Sequence, residues 1–514
     1  MNSPVPGPLR LGIDVGGTNT DAVVLDPADR IVAHTKQPTT DDVTTGVRAA
    51  LDQVLTRLGP DGRRVRAVML GTTHATNAIV ERRNLAKVAV LRIGRQVAEA
   101  IPPLAAWPRG LRTAAIAGAT QVSGGQLLDG CRIAPLDVEA VKKFLGSVAG
   151  TADALAATSV FAPVHPEDEV QVADLVRREL GDLPISLSHD LGALGLLERE
   201  TTTTLNAALG PVITRVTRAL REATAAHGID ARTYLAQNDG TLMDADHAAR
   251  YPVLTIGSGP SNSLRGAALL SNVTDAIVAD VGGTTTDLGV LVDGFARESR
   301  AGCTIGGVRT SLPMPDVLAI GFGGGTVLHP DRIGPDSVGH TITREALVFG
   351  GTTPTLTDAA TALGRTAFTL HPVESLTHRF KTALDTYDDA LEQAVALVSH
   401  GHRDQPVLAI GGGAELVPDR IGPHPVIRPH HAGVANAAGA AIALVTGENE
   451  TLIPTGPDRT EALAAAKTAA TTRAIQAGAD PDTVTITRLQ ETPIAYDSAR
   501  SLRVRVTAAG RLAL

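Results

Sequence analysis

The sequence predicts an α/β chain built from two related halves, and three observations carry that prediction. The segment LGIDVGGTNTDAVVL at residues 11–25 returns as IVADVGGTTTDLGVL at residues 277–291. Apolar strand-like runs alternate with helical periodicity along much of the chain, which implies sheets with helices packed against them. The composition is 43% hydrophobic but only 2% aromatic over 514 residues. It suits aliphatic layers, in a chain longer than one hydrophobic core usually supports.

In chain order, LRLGI, DAVVLD and RIVAHTK read as three strands, the first turn at Gly-Gly and the second at Pro27 and Asp29. Val47, Leu51, Val54, Leu55 and Leu58 share one helical face, which predicts a helix from Thr44 to Leu58. AVMLGTT is a buried strand entering a turn, NAIVERRN a helix and KVAVLRI a further strand. Residues 137–190 alternate again, with helices near 137–148 and 167–180 and strands at LAATSVF and PISLS. A long Thr- and Ala-rich helix is expected over 200–227, then TYLAQNDG and a small-residue segment. After the second hairpin, residues 313–364 read as loops with short strands. A helix at 385–399, the strand PVLAIGGGAELV and helices at 436–447 and 460–477 follow, the last stopped by Gly478. VTITRL and SLRVRV are alternating strands of a small terminal appendage.

The net charge of −8 lacks the basic footprint of nucleic-acid binding, and the scarcity of aromatics argues against base-stacking platforms. Cys131 and Cys303 fall in no zinc or disulfide spacing. The N-terminus has no signal-peptide pattern and no run approaches the length of a membrane span, so a soluble cytoplasmic protein is expected.

Each copy of the repeat sets an acid at a strand end, then two glycines, then hydroxyls: Asp14, Gly16, Gly17, Thr18, Asn19 and Thr20, and Asp280, Gly282, Gly283, Thr284, Thr285 and Thr286. Glycine lets a ligand approach main-chain N–H groups, and hydroxyls with free N–H groups in a tight turn suit phosphate. An acid there would repel phosphate, so its natural work is to hold a hydrated magnesium ion or to orient an attacking group. One such turn is equally well an ordinary hairpin; two in register point to two halves facing one cleft.

The pair of hairpins resembles the actin, Hsp70 and sugar-kinase superfamily, in which two ribonuclease-H-like domains clamp a nucleotide. LAIGGGAEL at 408–416, with Gly411, Gly412 and Gly413, has the place and form of that superfamily's adenosine motif. The segments GTTHATNAIVERRN (71–84), LERETTTTLNAALGP (197–211), QNDGTLMDADHAARYPVLTIGSGPSNSLRGA (237–267), DVLAIGFGGGTV (316–327) and PTLTDAATALGR (354–365) resemble, in order, the ATP-binding A-type subunit of the hydantoinase/5-oxoprolinase family. The resemblance implies two ribonuclease-H-like domains around a nucleotide cleft, residues 1–195 and 196–448, with 449–514 as a small α+β appendage. It also implies ATP and Mg2+ as cofactors, Asp14 and Asp280 as metal-binding and catalytic acids, and opening of a cyclic amide by phosphorylation of its oxygen.

The turn holding Thr72, Thr73, His74, Thr76 and Asn77 is the candidate substrate contact; helix capping by Thr76 is the alternative. Asn206, Asp239 and Asp358 are further cleft candidates, Asp239 being equally explained by turn chemistry. A separate B-type subunit and an oligomer are the expected partners. Where many relatives carry Asn-Pro-x-His-Glu, this chain reads HPEDE at 165–169. The stretch with His424, His430 and His431 invites a metal, but Pro interrupts it and no carboxylate or Cys sits at ligand spacing. A small-molecule kinase and an ATP-driven binding protein of the same fold are the competing functions.

Overall fold

A computed structural model describes residues 6–17, 19–39, 43–191, 195–299, 303–310, 312, 314–366, 377–401, 405–494 and 501–514. Two sheets carry the repeated hairpins. In the first, Leu9–Val15 pairs antiparallel with Asn19–Leu25, which pairs with Ile31–Pro38; on its other side Leu9–Val15 runs parallel to Val65–Thr72, and Arg232–Ala236 follows. In the second, Ala276–Val281 pairs antiparallel with Thr286–Val292 and parallel with Val407–Ile410, beyond which lies His424–Ile427. Both follow the ribonuclease-H-like plan, and the register is the same: Asp14 faces Asp21 and Val15 faces Thr20, as Asp280 faces Asp287 and Val281 faces Thr286.

The alternation that makes these strands also builds their cores. Leu9, Leu11 and Ile13 pack on Val47, Leu51 and Val54 of the helix Val43–Leu58, with Leu55 and Leu58 at the margin, as the helical face predicts. Ile277, Ala279 and Val281 pack likewise on Phe380, Tyr387 and Val395 of the helix Thr377–Ser399, which begins before the expected 385.

Residues 88–187 add a separate parallel sheet, ordered Ile116–Val122, Val88–Ile93, Ala154–Ser159, Ile185–Leu187. It is fastened to the long helix Leu196–Ala226 by a buried ion pair, Arg92 Nη2 to Glu200 Oε2 at 2.6 Å.

The helix expected over 436–447 ends at Ala441, and Val445–Pro454 is a strand. Val445 is placed between Leu242 and Gly510, so ladder pairing overrides the helical propensity of the Ala-rich run. With Thr485–Pro493 and Ser501–Gly510, this strand extends the first sheet to nine strands. The expected appendage at 449–514 is therefore continuous with that sheet, its helix Arg459–Gln476 setting Ala466, Ala470 and Ala474 on Val504 and Val506.

Two helices join the halves. Ser258–Ser271 and Ala435–Ala441 cross so closely that a side chain at Gly266 would strike the Ala435 carbonyl and one at Gly439 the Asn262 carbonyl. The second helix also lies on the first hairpin strand at Gly12. Among the described residues no helix is long and apolar enough to cross a membrane.

Candidate functional site

The two hairpins bring four carboxylates together. Asp14 is buried, and its acidity falls to a pKa of about 7 through burial and the nearby charges of Asp21 and Asp280. Burial and Asp280 push Asp287 up to about 7 as well, and burial raises both Asp21 and Asp280. Lys36, on the third strand of the first sheet, places Nζ 2.9 Å from Asp21 Oδ2 and donates to the Gly433 carbonyl at 2.8 Å. Ser263 Oγ lies 2.6 Å from Asp280 Oδ2 and 2.9 Å from Asn436 Oδ1.

One lone-pair site remains open. Asp14 Oδ1 is buried without a partner, as are both polar atoms of the fully buried Asn262. A Cβ on Gly71 would lie 2.6 Å from Asp14 Oδ1 and collide with Asn262 Nδ2, so glycine there lets the two approach. Mg2+ keeps most of its water and is held by one or two carboxylates, so the orphaned Asp14 Oδ1, with Asp280 across from it, fits such an ion without a larger cluster of protein ligands.

The turns divide their labour. Gly16 and Gly282 N–H groups close their own turns onto the Asn19 and Thr285 carbonyls at 3.0 and 2.9 Å. Thr20 is buried beside Thr39, and Thr286 is buried and donates to the Phe322 carbonyl at 2.7 Å, so both hydroxyls hold structure. Gly17 and Thr284 are exposed, and Gly283 and Thr285 half-buried; Thr18 lies outside the described residues. The loop with Gly323, Gly324 and Gly325 lies flat on the second turn, where Gly324 and Gly325 donate to the carbonyls of Gly282 and Gly283.

In the proposed adenosine motif Gly411 stands at φ +86°, where a side chain would strike Asp280 Oδ1; Gly413 donates to the Val281 carbonyl at 2.9 Å, and Gly412 is exposed beside the Lys36 stem. The motif thus sits directly behind the second hairpin, as Gly71 and Thr72 sit behind the first.

Thr72, Thr73 and His74 follow Gly71 at this same place. Thr73 is the N-cap of the helix His74–Glu81 and donates to the Val15 carbonyl at 3.2 Å. Thr76 lies inside the helix, where its hydroxyl accepts the Gly257 N–H at 3.3 Å, so capping does not account for it. Asn77 reaches Thr73 Oγ1 at 3.4 Å. The His74 ring meets Thr72 Oγ1, and burial and Arg215 hold its pKa below the usual range.

Three further candidates do structural work. Asn206 binds Ser186 Oγ and the Arg250 carbonyl and accepts from Val253 N–H. Asp239 closes its own turn on Thr241. Asp358 completes a capping box with Thr355 and accepts from Val348 N–H. In HPEDE, Asp168 takes the place of the relatives' His and is bound by Gly125 N–H and Arg132. Buried His424 meets the Gln405 carbonyl, whereas His430 stacks edge-on with His431, and His431 with His34. Among the described residues no group of three His, Cys, Asp or Glu is arranged to hold a metal ion.

Sequence reasoning missed Lys36, Asp21, Asp287, Asn262, Ser263 and Asn436. Asp21 and Asp287 were in the repeat itself, as the last acid of each copy.

Comparison with known proteins gives the family and the fold. Residues 10–180 match the hydantoinase/oxoprolinase N-terminal region and residues 199–378 the hydantoinase/oxoprolinase model. The chain is 28% identical over 386 residues to the caprolactamase subunit alpha of Pseudomonas jessenii, covering 69% of this chain and 54% of that one. It is 28% identical over 392 residues to the acetophenone carboxylase gamma subunit of Aromatoleum aromaticum, covering 69% and 53%. It therefore spans about half the length of these relatives. The crystal structure of ATP-dependent caprolactamase from Pseudomonas jessenii superposes with a TM-score of 0.80 at 21% identity, over 98% of this chain and 88% of that one. Nucleotide-free acetone carboxylase superposes with a TM-score of 0.71 at 17% identity, over 99% and 88%. With both of its hairpin-bearing regions matched, the chain belongs to the hydantoinase/oxoprolinase family.

Proposed function

We propose that the chain binds Mg2+ and ATP between its two hairpins and transfers the γ-phosphoryl group to the oxygen of a cyclic amide, such as a lactam, hydantoin or 5-oxoproline, so that the ring can be opened. The observation that carries it is the convergence of Asp14 and Asp280, one from each hairpin, on neighbouring residues of one helix, Asn262 beside Asp14 and Ser263 at 2.6 Å from Asp280, with Gly411 against Asp280.

An amide resists water because its nitrogen lone pair is delocalised into the carbonyl and its oxygen is a poor leaving group. Phosphorylating that oxygen releases ADP and leaves an electrophilic carbon. Water adds there, the C–N bond breaks with its electron pair going to nitrogen, and the resulting acyl phosphate is hydrolysed by a second water. The phosphoryl step needs mainly positioning and neutralisation of charge. Mg2+, when bound, supplies the neutralising charge. Asp14 and Asp280 would hold it, Lys36 adds a second cation, and the exposed Gly17, Gly283 and Thr284 face the phosphates.

The name of the caprolactamase relative favours a lactam. The equally similar acetophenone carboxylase subunit supports a second reading, phosphorylation of a ketone oxygen, which shares the first step. Both relatives are named as subunits, so a partner subunit for the later chemistry is part of the proposal.

The test is to incubate the purified chain, alone and with a candidate partner subunit, with Mg·ATP and a panel of lactams, hydantoins, 5-oxoproline and aryl ketones. Phosphate release accompanied by a ring-opened amino acid supports amide opening. Release stimulated only by ketones supports the second reading, and release indifferent to every carbonyl compound contradicts both.

A further inference from the structure

The helix Ser258–Ser271 carries a row of small polar side chains past both hairpins. Ser258 donates to the Thr72 carbonyl at 3.3 Å, Ser261 donates to the Asn238 carbonyl at 2.6 Å, and Ser263 Oγ lies 2.6 Å from Asp280 Oδ2. Asn262, between the last two, is fully buried, and among the described residues neither its Nδ2 nor its Oδ1 has a partner. Its backbone is fixed by the helix crossing, where the Asn262 carbonyl leaves room only for glycine at position 439.

The direction of that amide shows what it serves. The place a Cβ on Gly71 would take lies 2.4 Å from Asn262 Nδ2 and 2.6 Å from Asp14 Oδ1. The gap between the two atoms is therefore no more than those distances laid end to end, yet the two are not hydrogen-bonded to each other. One water molecule spans such a gap. Asp14 Oδ1 is likewise buried without a partner, so two unpaired groups, one from the end of the first hairpin strand and one from the joining helix, flank the same point.

The chemistry of the pair selects the occupant. Mg2+ keeps several of its waters and is held through one or two carboxylates. A water bound to a cation has its lone pair engaged, so it donates and seeks acceptors. Nδ2 and Oδ1 of an unanchored amide are isosteric, and a half-turn sets the oxygen beside Asp14 Oδ1. The site then offers two acceptors, one charged and one neutral, at no cost in further negative charge.

We propose that Asn262 is a binding residue of the cation site: its buried amide oxygen accepts from a water of the hydrated divalent cation that Asp14 receives. With Ser263 against Asp280, one turn of the joining helix addresses both hairpin acids. The proposal rests on the metal-and-nucleotide reading of the cleft given above. Outer partners of a metal site are worth about 10- to 100-fold in metal affinity or activity when removed.

The experiment titrates Mn2+, observed by its own electron paramagnetic resonance signal, into wild type, Asn262→Leu, Asn262→Asp and Asn206→Ala, and measures thermal unfolding of each metal-free protein alongside. Asn206 is a buried asparagine whose amide is paired at both ends, so its loss reports the effect of removing a structural amide. Asn262→Leu should lower Mn2+ affinity at least about tenfold while its metal-free Tm stays at or above wild type, because an unpaired buried amide has been replaced by an apolar group. Asn262→Asp keeps an acceptor and should keep the Mn2+ affinity. Asn206→Ala should do the reverse of Asn262→Leu, with a lower Tm and unchanged affinity. A folded Asn262→Leu with Mn2+ affinity within about twofold of wild type overturns the proposal. So does an Asn262→Asp that loses as much affinity as Asn262→Leu, the result expected of an ordinary buried water held by the amide N–H. Should Asn262→Leu not fold, Asn262→Ala decides by the same affinity criterion. Failure of the wild type itself to bind Mn2+ overturns the cleft reading along with it, so the two failures are distinguishable.

Discussion

Lys36 holds Asp21 at 2.9 Å while the same ammonium donates to the Gly433 carbonyl of the opposite half, closing the seam between the two sheets. Among the described residues no cation pairs with the pseudo-equivalent acid, Asp287. Lys36 is partly exposed, so Lys36→Gln should cost little stability, about 1 kcal/mol or less. Its loss removes a cation beside the exposed Gly412, and the half-saturating ATP concentration should rise about tenfold, as for a charged hydrogen bond. Equilibrium binding of a fluorescent ATP analogue reads this; unchanged affinity would show that Lys36 serves the seam alone.

Two glycines stand against the two hairpin acids, and a methyl group at either should be felt. Gly71→Ala drives a Cβ into Asp14 and Asn262, and Gly411→Ala drives one into Asp280 in a backbone region unfavourable to alanine. Each should destabilise by about 1–3 kcal/mol and abolish nucleotide-dependent turnover. Gly146→Ala, on the helix Val138–Val148 away from both hairpins, meets nothing within 4 Å and serves as the steric control. Urea unfolding midpoints together with phosphate release distinguish the three.

Glu200 is a structural acid. With Arg92 fully buried against it, Glu200→Gln leaves an unpaired guanidinium beneath the inserted sheet, and a loss of about 3–5 kcal/mol is expected. Thermal unfolding should shift strongly downward, whereas ATP affinity of the remaining folded fraction should stay near wild type.

The histidine seam gives a pH dependence. His34 is held below the ordinary 6.5 by burial, then by Arg57 and His430, and His431 by burial, then by His430 and His34. A base whose native pKa is depressed binds protons less readily folded than unfolded, so its contribution is present above 6.5 and falls away as pH drops below it. Wild type should therefore lose more Tm than His34→Asn between about pH 7.5 and 5.5. Equal losses would mean that His34 titrates normally.

The strands of each hairpin were legible because the period-2 alternation and the Gly-Gly turn both act locally. The duplication announced two matching sheets for the same reason. What was not legible is long-range pairing: the Ala-rich run after 441 reads as helix until Val445 finds Leu242 and Gly510. The site was half legible. Asp14 and Asp280 were marked by repetition; Lys36 joins them through its register opposite Asp21, whereas Asn262, Ser263 and Asn436 become neighbours only through the helix crossing. The reverse error also has a physical cause. The family segment LERETTTTLNAALGP holds Glu200 and Asn206, whose buried polar pairs fasten elements together, so a family motif here reports assembly as well as chemistry.

The central claim is that one cleft is built from both hairpins, and binding of a fluorescent ATP analogue to Asp14→Asn and Asp280→Asn, with and without Mg2+, tests it most directly. The account predicts that each substitution alone removes the Mg2+-dependent part of the affinity while circular dichroism shows a native fold. Retention of that part in either folded variant would contradict a shared site.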